Sequence, residues 1–296
     1  MSDPIRLEGA TALVTGGTSG IGAGIAQALC AAGAHVIITG LQHENGTAVA
    51  ERLAKYGSVE LALLDVRDRT AFADLVGRIE RDRGGIDILV NNAGVGFLNT
   101  VADSTPEQWD WVLGINLTGV FNGIHAVLPG MLARSGRRAH IVATASIGGM
   151  TGASGGVYAA AKFGVVGLIE ALRTELRDTP ISASVLVPGV IRTNIGHGLQ
   201  PPGEAPNVPP GGLTPEFLYR APMTPDEVGQ RVVQGILRDD LHIFTHTEHE
   251  PILRQRFDAI LRAIPYDPDV DPQRVEVETA ILTNPLYDEL PPGPGR

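Results

Sequence analysis

Seven short apolar runs alternate with helix-length segments along this chain, and that alternation limits the fold more than any other feature. The runs are ATALVTG (10–16), HVIITG (35–40), VELALLD (59–65), IDILVNN (86–92), HIVATAS (140–146), ISASVLVPG (181–189) and LHIFT (241–245). Several are apolar without a break. A strand covered on one face alternates with polar residues, whereas an unbroken run needs cover on both faces, as in a parallel sheet. The intervening segments 20–32, 44–56, 68–83, 107–135, 157–178 and 225–238 are long enough for helices. In the second of them Val49, Leu53 and Tyr56 recur at helical spacing. The β-α-β-α order predicts an α/β fold, a doubly wound parallel sheet of about seven strands with helices on both faces.

A chain of 296 residues, 43% of them hydrophobic, can bury a sizeable core. Residues 1–264 read as a single domain. Within it, 196–222 (GHGLQPPGEAPNVPPGGLTPEFLYRAP) hold too much Pro and Gly for regular structure over most of their length. A loop of that length in a compact domain reads as a substrate loop or lid. Residues 265–296 form an acidic, Pro-rich tail with a short helical pattern near 273–282. The net charge of −10 argues against nucleic acid or an anionic membrane as partner. Cys30 is the only cysteine and lies in an apolar stretch, so it reads as core. The absence of an intrachain disulfide fits a reducing compartment. The N-terminal residues lack a basic and apolar leader pattern, and no stretch is expected to reach the roughly 18 apolar residues of a membrane helix. The expected location is the cytoplasm.

The first strand runs directly into TGGTSGIG (15–22) and then into a helix. Gly16, Gly20 and Gly22, with Thr18, Ser19 and Ile21 between them, would let backbone N–H groups and a helix N-terminus approach a pyrophosphate. The spacing is G-x-x-x-G-x-G. NNAG (91–94), NLTG (116–119), SIGG (146–149), YAAAK (158–162) and PGVIRT (188–193) follow in order. Together these six motifs resemble the short-chain dehydrogenase/reductase family in its compact, Rossmann-like form, over roughly residues 7–245.

The resemblance implies interconversion of alcohols and carbonyls with NAD or NADP. It implies that Asp65, followed by Val66, bonds the adenine amino group; a strand-end Asp capping the next helix is the plainer alternative. Asn91, Asn92, Ala93 and Gly94 would steady the central strand and face the cofactor. Pro188, Gly189, Val190 and Thr193 would lie at the nicotinamide. The end of the second strand sets the choice of dinucleotide. Gly40 stands where NAD-preferring relatives carry Asp, and Leu41 where many NADP-preferring relatives carry Arg. His43 could assist a phosphate weakly. With no strong cation placed there, the balance leans to NAD.

Tyr158 and Lys162 sit one helical turn apart, separated by alanines. A free tyrosine titrates near 10, about three units above neutrality. A neighbouring ammonium is expected to pull that value down and make Tyr158 the general acid/base. By resemblance Lys162 also bonds the nicotinamide ribose. Ser146 would orient the substrate oxygen. The step from Ser146 to Tyr158 is one residue shorter than in many relatives, which implies a shortened loop, TGASGG. Asn116 lies within a helical pattern where asparagine needs a local reason. In relatives it kinks the helix and holds a water that reaches the lysine.

Phe97, Ile147, Met150, Val157 and Val190 would line an apolar pocket for a cyclic or aromatic secondary alcohol or ketone. No metal is expected: His242, His246 and His249 have suggestive spacing, but Thr247 and Glu250 fit a capping box that explains the cluster more simply. Phe163, Val166, Leu168 and Ile169 with Gly164 and Gly167 suggest surplus apolar surface, and by resemblance a homodimer or homotetramer. A monomer by light scattering would contradict that. Two other functions stay open. One is a dinucleotide sensor without turnover. The other is a reductase of carrier-bound 3-oxoacyl chains using NADPH, for which Arg134, Arg137 and Arg138 would form a docking patch.

Overall fold

The computed structural model describes residues 5–96, 99–134, 136–153, 155–193, 222–266, 269–284 and 286–289. Phe97 and all but the last residue of the 196–222 loop lie outside them. Seven parallel strands form one sheet in the order β3-β2-β1-β4-β5-β6-β7. They are β1 (Thr11–Val14), β2 (His35–Gly40), β3 (Val59–Leu63), β4 (Ile88–Asn91), β5 (Ala139–Thr144), β6 (Ile181–Val187) and β7 (His242–Phe244). The helices are α1 (Gly20–Ala31), α2 (His43–Leu53), α3 (Arg69–Arg83), α4 (Pro106–Leu113), α5 (Gly119–Ala133), the short α6 (Gly148–Thr151), α7 (Gly156–Glu175), α8 (Pro225–Arg238), α9 (His249–Arg262), α10 (Pro272–Leu282) and the short α11 (Leu286–Glu289).

Successive strand residues feed two different cores, which is why the runs are unbroken. Leu13 and Ile37 pack with Phe72 of α3, Ile124 of α5 and Ile169 of α7. Val14 and Ile38 pack on the other face with Ile25 of α1, Leu53 of α2 and Val232 of α8. Each such fully buried aliphatic side chain contributes about 1.5–3 kcal/mol. The strand order reverses between β1 and β4, and ligands of open α/β sheets bind beyond the carboxyl ends of the strands at that point.

The 107–135 pattern is one continuous helical run broken by a π-turn, Gly114–Thr118, between α4 and α5. Its start is fixed by a reciprocal capping box between Thr105 and Gln108, with Pro106 at the first helical position. At 28 residues (Pro106–Ala133) it is also long and apolar enough to cross a membrane, contrary to the expectation from sequence. Half of its most apolar window is buried, as in a core helix.

One further expectation changes. Val166 and Ile169 face the core, so they add nothing to a subunit surface. Phe121 and Leu132 of α5 and Trp109 of α4 are exposed instead. In the tail, α10 buries none of its side chains, but the chain then returns. Leu286 packs into the core, Asn284 Nδ2 donates to Thr174 Oγ1 (3.2 Å), and the Tyr287 hydroxyl donates to Glu170 (3.2 Å).

Candidate active site

The carboxyl ends of β1, β4 and β5 are stitched together by side chains. Thr15 Oγ1 accepts from the backbone N–H groups of Asn92 (2.9 Å) and Ala93 (3.1 Å). Asn92 Nδ2 donates to the carbonyls of Thr15 (3.1 Å) and Gly16 (3.4 Å), and its Oδ1 accepts from Thr144 Oγ1 (3.3 Å). The Thr144 carbonyl in turn accepts from Lys162 Nζ (2.8 Å). Asn92, with Thr15, thus does the steadying expected of the NNAG segment. The buried Asn91 amide finds no hydrogen-bond partner among the described residues.

The glycine loop leaves a cradle. Gly16 has φ +63 and Gly20 φ +48, the left-handed region that favours glycine. A methyl group at Gly22 would lie 2.3 Å from the Gly16 carbonyl oxygen and 2.5 Å from Asn92 Nδ2. One at Gly20 would lie 3.3 Å from Thr193 Cγ2, so the loop and Thr193 meet. Ser19 is exposed and caps α1 without a side-chain bond. At the end of β2, Gly40 is covered by Thr18: a methyl group there would sit 2.6 Å from Thr18 Oγ1. Leu41 beside it is exposed. An open backbone loop at a helix N-terminus fits a dinucleotide pyrophosphate.

Asp65 is already engaged. Arg67 donates to its Oδ1 from the backbone N–H (3.0 Å) and Nε (3.0 Å), and to Oδ2 from Nη2 (2.6 Å). These bonds hold the carboxyl below its ordinary range. An adenine amino group would have to share these directions or displace the guanidinium. The cap of α3 is Asp68, which accepts from the Ala71 N–H, so Asp65 does not cap that helix.

Asn116 sits in the π-turn, fully buried. Its Oδ1 accepts from the Val95 N–H (2.8 Å) and its Nδ2 donates to the Val95 carbonyl (3.0 Å). One extra residue in a helical turn lets the side chain leave the helix and grip the strand-end segment, a recurrent use of π-turns at functional sites. A methyl group on Gly94 would lie 3.0 Å from Asn116 Oδ1 and 3.6 Å from Lys162 Nζ, so Gly94 keeps this floor open.

Ser146, Tyr158 and Lys162 converge. The Ser146 hydroxyl lies close enough to the Tyr158 phenol to favour its ionised form, and it accepts from the Gly148 N–H (3.1 Å). The 12-residue step closes through α6 and left-handed glycines at Gly152 (φ +72) and Gly155 (φ +67). Lys162 Nζ is buried, 5.7 Å from the Tyr158 ring centroid. Burial brings its ammonium down from 10.5 to about 8. That displacement corresponds to about 3 kcal/mol against the charge, comparable to or more than one charged hydrogen bond returns. The expected lowering of the Tyr158 pKa is not found. Burial of the phenol raises it and the nearby Ser146 hydroxyl only partly offsets this, because Nζ is turned to Thr144.

Lys162 should therefore titrate near pH 8 in dinucleotide-free protein. The unfolded chain keeps this proton up to about 10.4, so raising the pH from 8 through that window favours the fold at this group, and lowering it through 8 forfeits the gain. The Lys162 13Cε shift followed against pH should show that midpoint; one at 10 or above would contradict it.

A family model described as short chain dehydrogenase matches residues 10–202. The chain belongs to the short-chain dehydrogenase family. It is thereby an oxidoreductase of Rossmann-like, NAD(P)-binding type. It is 35% identical over 237 residues to a D-beta-hydroxybutyrate dehydrogenase of Cupriavidus necator, covering 77% of this chain and 90% of that protein. It is 31% identical over 283 residues to a C alpha-dehydrogenase of a Sphingobium species, covering 90% of each. A short-chain dehydrogenase/reductase of Burkholderia phymatum, solved with NAD, superposes with a TM-score of 0.81 at 26% identity, over 90% of this chain and all of that one.

In this short-chain dehydrogenase Ile147 and Met150 stand half-buried beside Ser146, and Val190 is half-buried after Gly189. Val157 is not a lining residue. It is one position before Tyr158, turned about 100° away on α7, and packs with Val112 and Ala161 against α4. Pro188 is buried and Gly189 N–H donates to Thr245 Oγ1 (3.1 Å). Thr15, Thr144, Arg67 and Thr245 carry site contacts that the motif reading passed over. Thr15 and Thr144 each stand at or just past a strand end and could have been found there.

Proposed function

We propose that the chain interconverts an apolar secondary alcohol, cyclic or aromatic, and its ketone, with NAD as the preferred dinucleotide. The observation that carries this is the convergence of Ser146, Tyr158 and Lys162 on one wall beside the apolar side chains of Ile147 and Met150. A bound nicotinamide would supply or accept the hydride. Tyr158 would pass the hydroxyl proton, and Ser146 would hold the substrate oxygen. Lys162, steadied on Thr144, would bring positive charge under the phenol. Asn116 shapes the floor by holding Val95. The likeness to the Sphingobium C alpha-dehydrogenase spans most of both chains and supports a dehydrogenase reading.

The lean to NAD rests on what surrounds Gly40. Thr18 fills the space above it, Leu41 and Ser19 carry no charge, and Arg67 is committed to Asp65. Among the described residues, His43 at the start of α2 is left as the weak partner a 2′-phosphate would find there. The carrier-bound reading loses its docking patch. Arg134 (3.1 Å) and Arg137 (2.6 Å) both pair with buried Asp87, at the opposite end of the sheet from the site. Association into a homodimer or homotetramer in the cytoplasm belongs to the same proposal. The test is turnover of 1-arylalkanols and cyclic secondary alcohols beside 3-hydroxyacyl thioesters, each with NAD and with NADP. Oxidation of the aryl or cyclic alcohols with NAD is expected. Preference for thioesters with NADP would overturn the assignment.

A further inference from the structure

Behind the Pro188–Gly189 turn stand two histidines that the reaction does not use. A methyl group at Gly189 would lie 2.7 Å from His249 Nε2 and 2.8 Å from His246 Nδ1, so both ring nitrogens rest against this glycine. The rings stack with centroids 5.2 Å apart and 23° between planes. His246 Nδ1 is 2.7 Å from Thr245 Oγ1, the atom that accepts the Gly189 N–H. His249 is buried, its Nδ1 has no hydrogen-bond partner among the described residues, and the Phe244 ring meets it edge-on. The expected capping box is absent: α9 starts at His249 behind Glu248, and Glu250 pairs with Arg254 (2.8 Å).

We infer that the His246–His249 stack positions the Pro188–Gly189 turn for the nicotinamide half of the dinucleotide, and that protonating the stack weakens that half's binding. The inference rests on the proposed placement of Pro188, Gly189 and Val190 at the nicotinamide. With both rings neutral, the Gly189 N–H, the Thr245 hydroxyl and His246 Nδ1 form one directed chain of hydrogen bonds. A proton on His246 Nδ1 reverses its bond, so Thr245 must accept from both sides. A proton on His249 is opposed by burial and by the His246 charge, and Glu248 only partly compensates. The N-terminus of α9 opposes it too. The other charged groups nearby are already paired: Glu250 with Arg254, and His242 of β7 with Glu170 of α7 (2.9 Å). Arg192 is exposed beyond the turn, and α6, which packs on α9, brings no titratable group.

Calorimetric titration with the tighter of NAD and NADP, beside ADP-ribose or its 2′-phosphate, tests this. If only the neutral stack holds the turn, dinucleotide affinity should fall about tenfold or more between pH 7.5 and pH 5. ADP-ribose, which lacks the nicotinamide but keeps the adenosine end near His43, should change less than about twofold. His246→Gln and His249→Gln remove the titrating rings and should flatten the dinucleotide profile, at a pH 7.5 affinity that falls along with the lost stack. A flat wild-type profile, or equal loss for ADP-ribose, would overturn the role of the stack. Failure of both ligands to bind at any pH would overturn the dinucleotide reading beneath it.

Discussion

Tyr158→Phe is expected to lower turnover by about 10²–10⁴-fold, the range a positioned acid/base supplies. Dinucleotide affinity should stay nearly unchanged, because the ring remains and only the hydroxyl is lost. The Ser146 hydroxyl keeps its bond from the Gly148 N–H, so the loop has no reason to move. Burial holds the phenol above its ordinary pKa, so without dinucleotide Tyr158 is a neutral donor. Ionising it depends on positive charge, and Lys162 is the buried cation nearest to it. Steady-state kinetics of the variant, with a parallel binding titration, provide the check. Turnover within tenfold of wild type would place the proton on another group.

Gly22→Ala should be as damaging at the other end of the site. Its new Cβ would meet the Gly16 carbonyl oxygen at 2.3 Å and Asn92 Nδ2 at 2.5 Å. Neither partner is a free side-chain end: one is backbone, and the other is tied to Thr15 and Thr144. The loop must therefore shift and drag the Asn92 link with it. A loss of about 100-fold in dinucleotide affinity, roughly 2.7 kcal/mol, is expected. Gly167→Ala is the control, since a methyl group there meets nothing within 4 Å. It should leave affinity unchanged and favour the α7 helix by up to about 1 kcal/mol. Affinity of Gly22→Ala within threefold of wild type would mean that the glycine loop is not the phosphate cradle.

The strands were legible because each lies between two cores, so Leu13 and Val14 are both buried although they face opposite ways. Helix spans were legible from length and spacing. What sequence spacing missed depends on phase and on distant partners. Val157 reads as a neighbour of Tyr158, yet one step along a helix turns it onto α4. The π-turn around Asn116 adds a residue to a helical turn without any change in hydrophobic pattern. Arg134 and Arg137 read as a surface patch because Asp87, their partner, is about fifty residues earlier. The guanidinium of Arg67, two residues on, folds back on Asp65, which sequence spacing does not reveal. The Ser146, Tyr158 and Lys162 set was legible from motif order. The direction of the Tyr158 pKa was not, since it is set by burial that no local spacing reveals.

The central claim is that hydride passes between a secondary alcohol and a nicotinamide on this wall. The most direct measurement uses a 1-arylalkanol deuterated at its carbinol carbon, incubated with the protein and NAD. Deuterium should appear on one face of the nicotinamide C4 by NMR, and about 10²–10⁴-fold more slowly with Tyr158→Phe. Bound dinucleotide with no deuterium transferred from this alcohol or from a deuterated cyclic alcohol would contradict the account.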